Sequence, residues 1–252
     1  MRQKLKTLKM LLFSWLVPPT FRFAVVEALK KIGLIRDKNA FYSQFGEDAV
    51  LGALFAGQSQ GFYVDVGAHH PTKYSNTHLL YTRGWHGINI EPNPEAIKLF
   101  QRARPDDANV CSGIAEQPGH MKFWLFSDPL VSTFSEQDAK KWMEMRAGET
   151  WITLLGTQQV PVTTLRAVLE QHLPKDVPVD VLSVDTEGFD FQVLRSNDWE
   201  RCKPRVIVVE VDHAKSDAAE MTQYLTQKRY RPLIKMGPSQ IFMSDSMAGV
   251  GL

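Results

Sequence analysis

Residues 61–71 read Gly-Phe-Tyr-Val-Asp-Val-Gly-Ala-His-His-Pro: an aromatic and β-branched run, then a carboxylate, a glycine and a turn closed by proline. A short apolar run bounded by turn residues predicts a buried strand over Gly61–Val66. Asp65 then stands at the carboxyl end of that strand, and Gly67 lets the backbone turn sharply and approach a ligand closely. Outward from this stretch the same unit recurs. Gly87–Ile90, Asn109–Ala115, Val179–Val184 and Arg205–Val211 read as further strands. Helical patterns lie over Tyr42–Ala56 (entered through Ser43), Ser75–Arg83, Glu95–Arg104, Thr164–His172 and 217–229. Strands alternating with longer helices predict an α/β fold with a doubly wound, mostly parallel sheet covered by helices on both faces. The near-continuous apolar runs VDVLSV and RVIVVEV suit strands buried on both sides. His120–Phe126 alternates enough for an added antiparallel strand and Val160–Val162 for a short edge strand. Arg231–Lys235 and Gln240–Met243 suggest a C-terminal antiparallel hairpin.

Composition sets broad bounds. Of 252 residues, 44% are hydrophobic and 23% charged, as in an ordinary folded domain. A net charge of +1 supplies no global field for nucleic acid. The two cysteines, Cys111 and Cys202, form no CxxC motif, which suits a reducing, cytoplasmic compartment and excludes a disulfide framework or zinc cluster. Residues 1–40 read as a basic amphipathic helical extension ahead of a single domain at 41–252. Within the extension, Met10–Val17 is too short to span a bilayer, and Pro18-Pro19-Thr20 lacks a signal-cleavage pattern. The lysines and arginines of residues 1–38 suit peripheral contact with an anionic membrane, on the inner face, and equally a solvated helix packed on the domain. Residues 130–157 sit where an inserted lid would sit, and a peripheral helix pair explains them as well.

In a doubly wound sheet, ligands bind beyond the carboxyl ends of the strands, where the strand order reverses. The residues there are polar at strand after strand. Asp65, Gly67 and Ala68 stand at the end of the first strand, and Glu91 and Pro92 at that of the second, where a carboxylate can accept hydrogen bonds from both ribose hydroxyls of an adenosine. Ser112, Gly113 and Ile114 follow the third strand, a position from which small residues border an adenine ring. Residues 67–71 contain no GxGxxG turn, so a pyrophosphate-bearing dinucleotide is disfavoured. The later strands end in Asp185-Thr186-Glu187-Gly188-Phe189-Asp190 and Glu210-Val211-Asp212-His213. Asp185 is suited to orient part of a cofactor, a substrate hydroxyl or a divalent cation. Asp185, Glu210 and Asp212 together form a candidate oxygen-ligand set for magnesium. Asp185, Glu187 and His213 are the candidate catalytic groups, His213 as a general base titrating near neutrality, with His69 and His70 as rivals.

These pieces, taken in order, resemble the FkbM methyltransferases. The resemblance rests on Ser43-Gln44-Phe45-Gly46-Glu47-Asp48, GFYVDVGAHHP (61–71), Ser75-Asn76-Thr77 and GWHGINIEPNP (84–94). It continues through Arg104-Pro105, Ser132-Thr133, Thr164-Leu165 and Val184-Asp185-Thr186-Glu187-Gly188. It implies a Rossmann-like enzyme that uses S-adenosylmethionine to methylate a hydroxyl of a small molecule, sugar or glycan. By the same likeness Asp65, Gly67 and Glu91 contact the cofactor, and Asp185 and Glu187 line the reaction centre. His69 stands where the family often has asparagine, and Thr186 where it often has valine. The competing expectations are a nicotinamide oxidoreductase, which the missing phosphate turn opposes, and a non-catalytic nucleoside-binding or membrane-docking module, which the acidic strand ends oppose.

Overall fold

The computed structural model describes residues 41–145, 152–211 and 218–247. In chain order its helices and strands are α1 (Glu47–Leu54), β1 (Phe62–Val66), α2 (His78–Thr82), β2 (His86–Ile90) and α3 (Pro94–Ala103). Next come β3 (Ala108–Val110), β4 (Gly113–Ile114), β5 (Gly119–Phe126), α4 (Glu136–Met145), β6 (Leu154–Thr163) and α5 (Leu165–His172). The last are β7 (Val181–Val184), α6 (Asp190–Arg195), β8 (Val206–Glu210), α7 (Ala218–Gln227), β9 (Tyr230–Met236) and β10 (Ser239–Ser244).

Seven of these strands form one sheet in the order β3-β2-β1-β7-β8-β10-β9. β1 pairs in parallel with β2 on one side and with β7 on the other, so strand order reverses between β1 and β7. β8 continues the parallel set, and β10 joins it antiparallel, with β9 antiparallel outside. Alternate residues of the central strands feed two separate cores. Phe62, Val64 and Val66, with Leu182, Val184, Ile207 and Val209, pack against residues of α5, α6 and α7. Tyr63, Val181, Val206 and Val208 pack instead with Leu51 and Leu54 of α1, Leu80 of α2 and Trp85. The period-2 alternation of a strand thus splits a continuously apolar sequence between two helix-covered faces.

A second, three-stranded sheet runs β4-β6-β5. It accounts for two departures from expectation. The strand expected over Asn109–Ala115 is two strands, because the chain leaves the main sheet after Val110 and β4 pairs with β6 instead. Val160–Val162, expected at an edge, lies in a ten-residue strand with neighbours on both sides. Periodicity reports which face of a strand is buried and not which strand lies beside it.

Helix starts also shift for local reasons. α1 begins at Glu47 and not at Tyr42, because Gly46 sits at φ 93°, outside helical space. The Asp48 carboxylate holds the preceding turn, accepting from Tyr42 N and from Ser43 Oγ at 2.6 Å each. Ser75 Oγ accepts from His78 N, which turns the chain before α2. α3 keeps its expected start, with Asn93 capping Glu95 N at 3.0 Å and Pro94 in the first turn. The short helix α6 has no counterpart in the sequence reading. Asp190 accepts from Thr186 N and Gly188 N, so this third carboxylate of the Asp185–Asp190 stretch folds the turn that carries the other two.

Candidate active site

The site grows from the reversal between β1 and β7. Gly67 follows β1 at φ 75°, and a Cβ built on it would lie 1.7 Å from the carbonyl oxygen of Asp185. Only glycine allows the two strand ends to approach this closely. Three backbone bonds lock the crossing: Asp185 N to Val66 O at 3.0 Å, Gly67 N to Ile90 O at 2.9 Å and Ala68 N to Ile90 O at 3.1 Å. The ends of β1, β2 and β7 are therefore fixed to one another by main chain.

Two cavities open on this crossing. The first, of about 350 Å³, is walled by Val66, Ile90, Pro92, Leu99, Ile114, Phe123 and Phe134, with Glu91, Ser112 and Gly113 at its polar side. The second, of about 310 Å³, is bounded by Asp65, Ala68, Asp128, Ser183 and Glu210 and by Phe45, Tyr74 and Trp142. Gly67, His69, Leu130, Asp185 and Glu187 line both. They are the lining that the two chambers share, here termed the passage.

Glu91 is 8% exposed and accepts from His69 N at 2.9 Å with one oxygen and from Asn93 N at 3.0 Å with the other. A carboxylate has about four acceptor positions, so both oxygens keep capacity for a ligand's hydroxyls. Burial pushes its pKa up, and the two amide donors oppose that. No lysine or arginine lines the first cavity among the described residues, whereas Glu91, Glu95, Asp185 and Glu187 do. That lining fits a cationic nucleoside cofactor and opposes a pyrophosphate.

Asp65 faces the second chamber and not the first. It is 5% exposed, and Thr77 Oγ1 donates to its Oδ2 at 2.6 Å. Burial raises its pKa, while the bond from Thr77 and the nearby Arg104 charge oppose the shift. Arg104 is fully buried and organises this wall. It donates to Thr77 Oγ1 (2.8 Å), Ser75 Oγ (2.9 Å), Asn89 Oδ1 (3.2 Å) and the carbonyl of Pro71. Ala68 likewise lines only the second chamber, so of the first-strand residues expected at the cofactor only Gly67 reaches the first.

Asp185 is accessible where it opens on the two cavities, yet protein surrounds it in depth. Burial, then Glu210, Asp190 and Asp65, push its carboxyl well above the usual carboxylate range. His69 adopts φ 53°, a left-handed conformation that turns it into the passage. Burial, then the neighbouring His70, lower its pKa, so the imidazole is neutral at physiological pH. His70 plays a different part: its Nδ1 accepts from Thr72 N and Lys73 N at 3.1 Å each and holds the turn. The two histidines that the sequence leaves as rivals are thus divided by geometry.

His213 and Asp212 lie outside the described residues, so the structure assigns neither a place. Among the described residues no group of three His, Cys, Asp or Glu side chains is arranged to hold a metal. Asp185 and Glu210 share the second chamber. Leu130, Ser132 and Phe134, which the sequence places in a segment suited to a lid or a peripheral helix pair, line the first cavity, and the Thr133 hydroxyl donates to Glu187 O at 2.7 Å. Thr133 ties the 129–134 segment to the strand end bearing Glu187. Apart from that placement, their signal in the sequence is the Ser132-Thr133 pair of the family resemblance. The basic stretch at 1–38 lies outside the described residues. Among the described residues no helix is long and apolar enough to cross a membrane.

A mixed α/β architecture with a mostly parallel central sheet, carrying a carboxylate-rimmed cavity at its strand reversal, is consistent with a methyltransferase fold. The chain belongs to the methyltransferase FkbM domain family, whose sequence model matches residues 65–232. That span begins at Asp65 and takes in both cavities' shared residues. A search of curated proteins finds no match to this chain.

Proposed function

We propose that the protein is an S-adenosylmethionine-dependent O-methyltransferase acting on a hydroxyl of a sugar, glycan or related small molecule. The observation that carries this reading is the pair of cavities joined at Gly67, His69, Asp185 and Glu187. One chamber has the apolar walls and strand-end carboxylate suited to an adenosine, and the other has room for an acceptor. The residues present fit the cofactor. Glu91 would accept from the ribose hydroxyls, Ile114, Phe123 and Phe134 would flank the adenine, and Asp185 and Glu187 would face the ammonium and sulfonium charges. When bound, the cofactor supplies an electrophilic methyl group on sulfur.

The chain's own residues then have definite tasks. The main-chain lock between β1, β2 and β7 fixes the two chambers relative to each other, and so the approach of acceptor oxygen to methyl carbon. Such positioning is a large contribution to a transfer between two bound groups. His69, neutral and in the passage, is placed to take the proton from the acceptor hydroxyl, and Asp185 is the second group at that point. A hydroxyl needs that help, because the neutral oxygen is a weak nucleophile. Leu130 at the passage limits water around the reacting atoms.

The test is isothermal titration with S-adenosylhomocysteine, with NADH as the control. Micromolar binding of the first alone supports the reading, and preference for NADH overturns it. Loss of methyl transfer in His69→Ala with S-adenosylhomocysteine affinity retained would place that side chain in the chemistry.

A further inference from the structure

The peptide between Glu187 and Gly188 is gripped at both ends by side chains. Its carbonyl oxygen accepts from Thr133 Oγ1 at 2.7 Å, and its N–H donates to Asp190 Oδ2 at 3.2 Å. A peptide unit is planar, so bonds at its two opposite edges fix its rotation about the chain. That rotation is not one the chain adopts freely. Glu187 sits at φ 52° and Gly188 at φ 97°, two left-handed residues in succession, the first of them carrying a side chain. A non-glycine residue persists there only where its surroundings hold it.

Thr133 supplies the grip that comes from far away in the chain. It is buried, and it lies 54 residues before Glu187. Its backbone is paired both ways with Trp124, at 2.8 and 3.1 Å. Ser135 N donates to the same hydroxyl at 2.8 Å, so the hydroxyl's own proton is directed at the Glu187 carbonyl. Thr133 itself lines neither cavity, whereas Ser132 and Phe134 on either side of it line the first and Glu187 lines both.

We propose that Thr133 is a positioning residue for the amino-acid end of the cofactor: by holding the Glu187 carbonyl it keeps Glu187 left-handed in the passage, where its carboxylate meets the cofactor's ammonium group. This rests on the methyltransferase reading above and adds to it a residue that touches neither cofactor nor acceptor. Without the hydroxyl the peptide keeps only its Asp190 bond, turns on it, and lets Glu187 relax to an ordinary φ with its side chain displaced. The adenosine end is held otherwise. Glu91 is fixed by the amides of His69 and Asn93, and the Trp124 pairing, which is main chain only, keeps Ser132 and Phe134 in place.

The experiment titrates the full chain, Thr133→Val and Thr133→Ser with two ligands: S-adenosylhomocysteine, and methylthioadenosine, which keeps the adenosine and the thioether but has no amino-acid group. Thr133→Val should weaken S-adenosylhomocysteine at least about fivefold, a share of what a charge-assisted hydrogen bond carries, and leave methylthioadenosine within about twofold of the parent. Thr133→Ser, which keeps the hydroxyl, should restore the parent's affinity for both. Equal weakening of the two ligands, no weakening in Thr133→Val, or a serine variant no better than valine overturns the proposal. A second measurement needs no variant. In the parent chain S-adenosylhomocysteine should slow amide hydrogen exchange at Ser135 and Gly188, the donors at the two ends of the linked grips, more than methylthioadenosine does. Equal slowing by both ligands also overturns it. Failure of S-adenosylhomocysteine to bind the parent is read separately and refutes the function on which the proposal stands.

Discussion

Gly67→Ala is the sharpest test of how this site is built. Its added Cβ would fall 1.7 Å from the Asp185 carbonyl oxygen, against backbone and not a movable side chain. Relief requires the ends of β1 and β7 to part by more than 1 Å, roughly the gap to ordinary van der Waals contact. Three costs add. A non-glycine residue at φ 75° costs about 1–2 kcal/mol. Overpacking against a rigid neighbour costs about 1–3 kcal/mol. Weakening the 3.0 Å bond from Asp185 N to Val66 O costs about 1 kcal/mol more. The expected loss is roughly 4 kcal/mol, seen as a drop in Tm of about 8–16 °C for a chain of this size. Urea and thermal unfolding measure it, with Gly119→Ala as the control, since a Cβ there meets nothing within 4 Å. S-adenosylhomocysteine affinity should fall in the surviving folded fraction, because the crossing also carries the passage. A Gly67→Ala protein within about 1 kcal/mol of the parent, with unchanged ligand affinity, would refute the close-approach argument.

Other predictions address separate parts of the site. Glu91→Gln should weaken S-adenosylhomocysteine binding by about 10- to 100-fold, the worth of charge-assisted hydrogen bonds to a ribose; unchanged affinity in calorimetry would remove Glu91 from the cofactor site. Asp185→Asn should show a pH-dependent gain in stability. The folded-state pKa of Asp185 is raised, so its favourable contribution exists below the unfolded-chain value of about 3.9 and is lost as pH rises through the folded value. The Asn variant should match the parent in acid and exceed it at neutral and alkaline pH in urea unfolding, while losing methyl transfer. A constant difference across pH would contradict the burial argument. Arg104→Met should destabilise the fold by about 3–5 kcal/mol, because the Pro71 carbonyl, Ser75, Thr77 and Asn89 lose a buried donor and Asp65 a nearby positive charge; a change under 1 kcal/mol would show that this network is replaceable.

The strand ends were legible in the sequence because an apolar run closed by a carboxylate and a turn carries its own boundary, as at Val64-Asp65-Val66-Gly67 and Val184-Asp185. Burial on both faces follows from the same runs, so the α/β class and the acidic sheet edge needed no coordinates. Glu91 was legible for the same reason: it directly follows β2, and it lines the first cavity. What tertiary structure decided is which chamber each strand end serves. Asp65 lies at the end of β1, still within its pairing, and Asp185 directly follows β7, and Asp65 turns toward Thr77 and the second chamber while Asp185 stands in the passage. Local sequence cannot separate them, since the difference lies in what packs behind each: an Arg104-anchored loop in one case, the Gly67 crossing in the other. The same holds for His69 and His70, adjacent in sequence and divided by one left-handed φ. Chemistry at the sheet edge is written in residue type and strand register. Its division between two chambers is written only in long-range contacts, which no periodicity records.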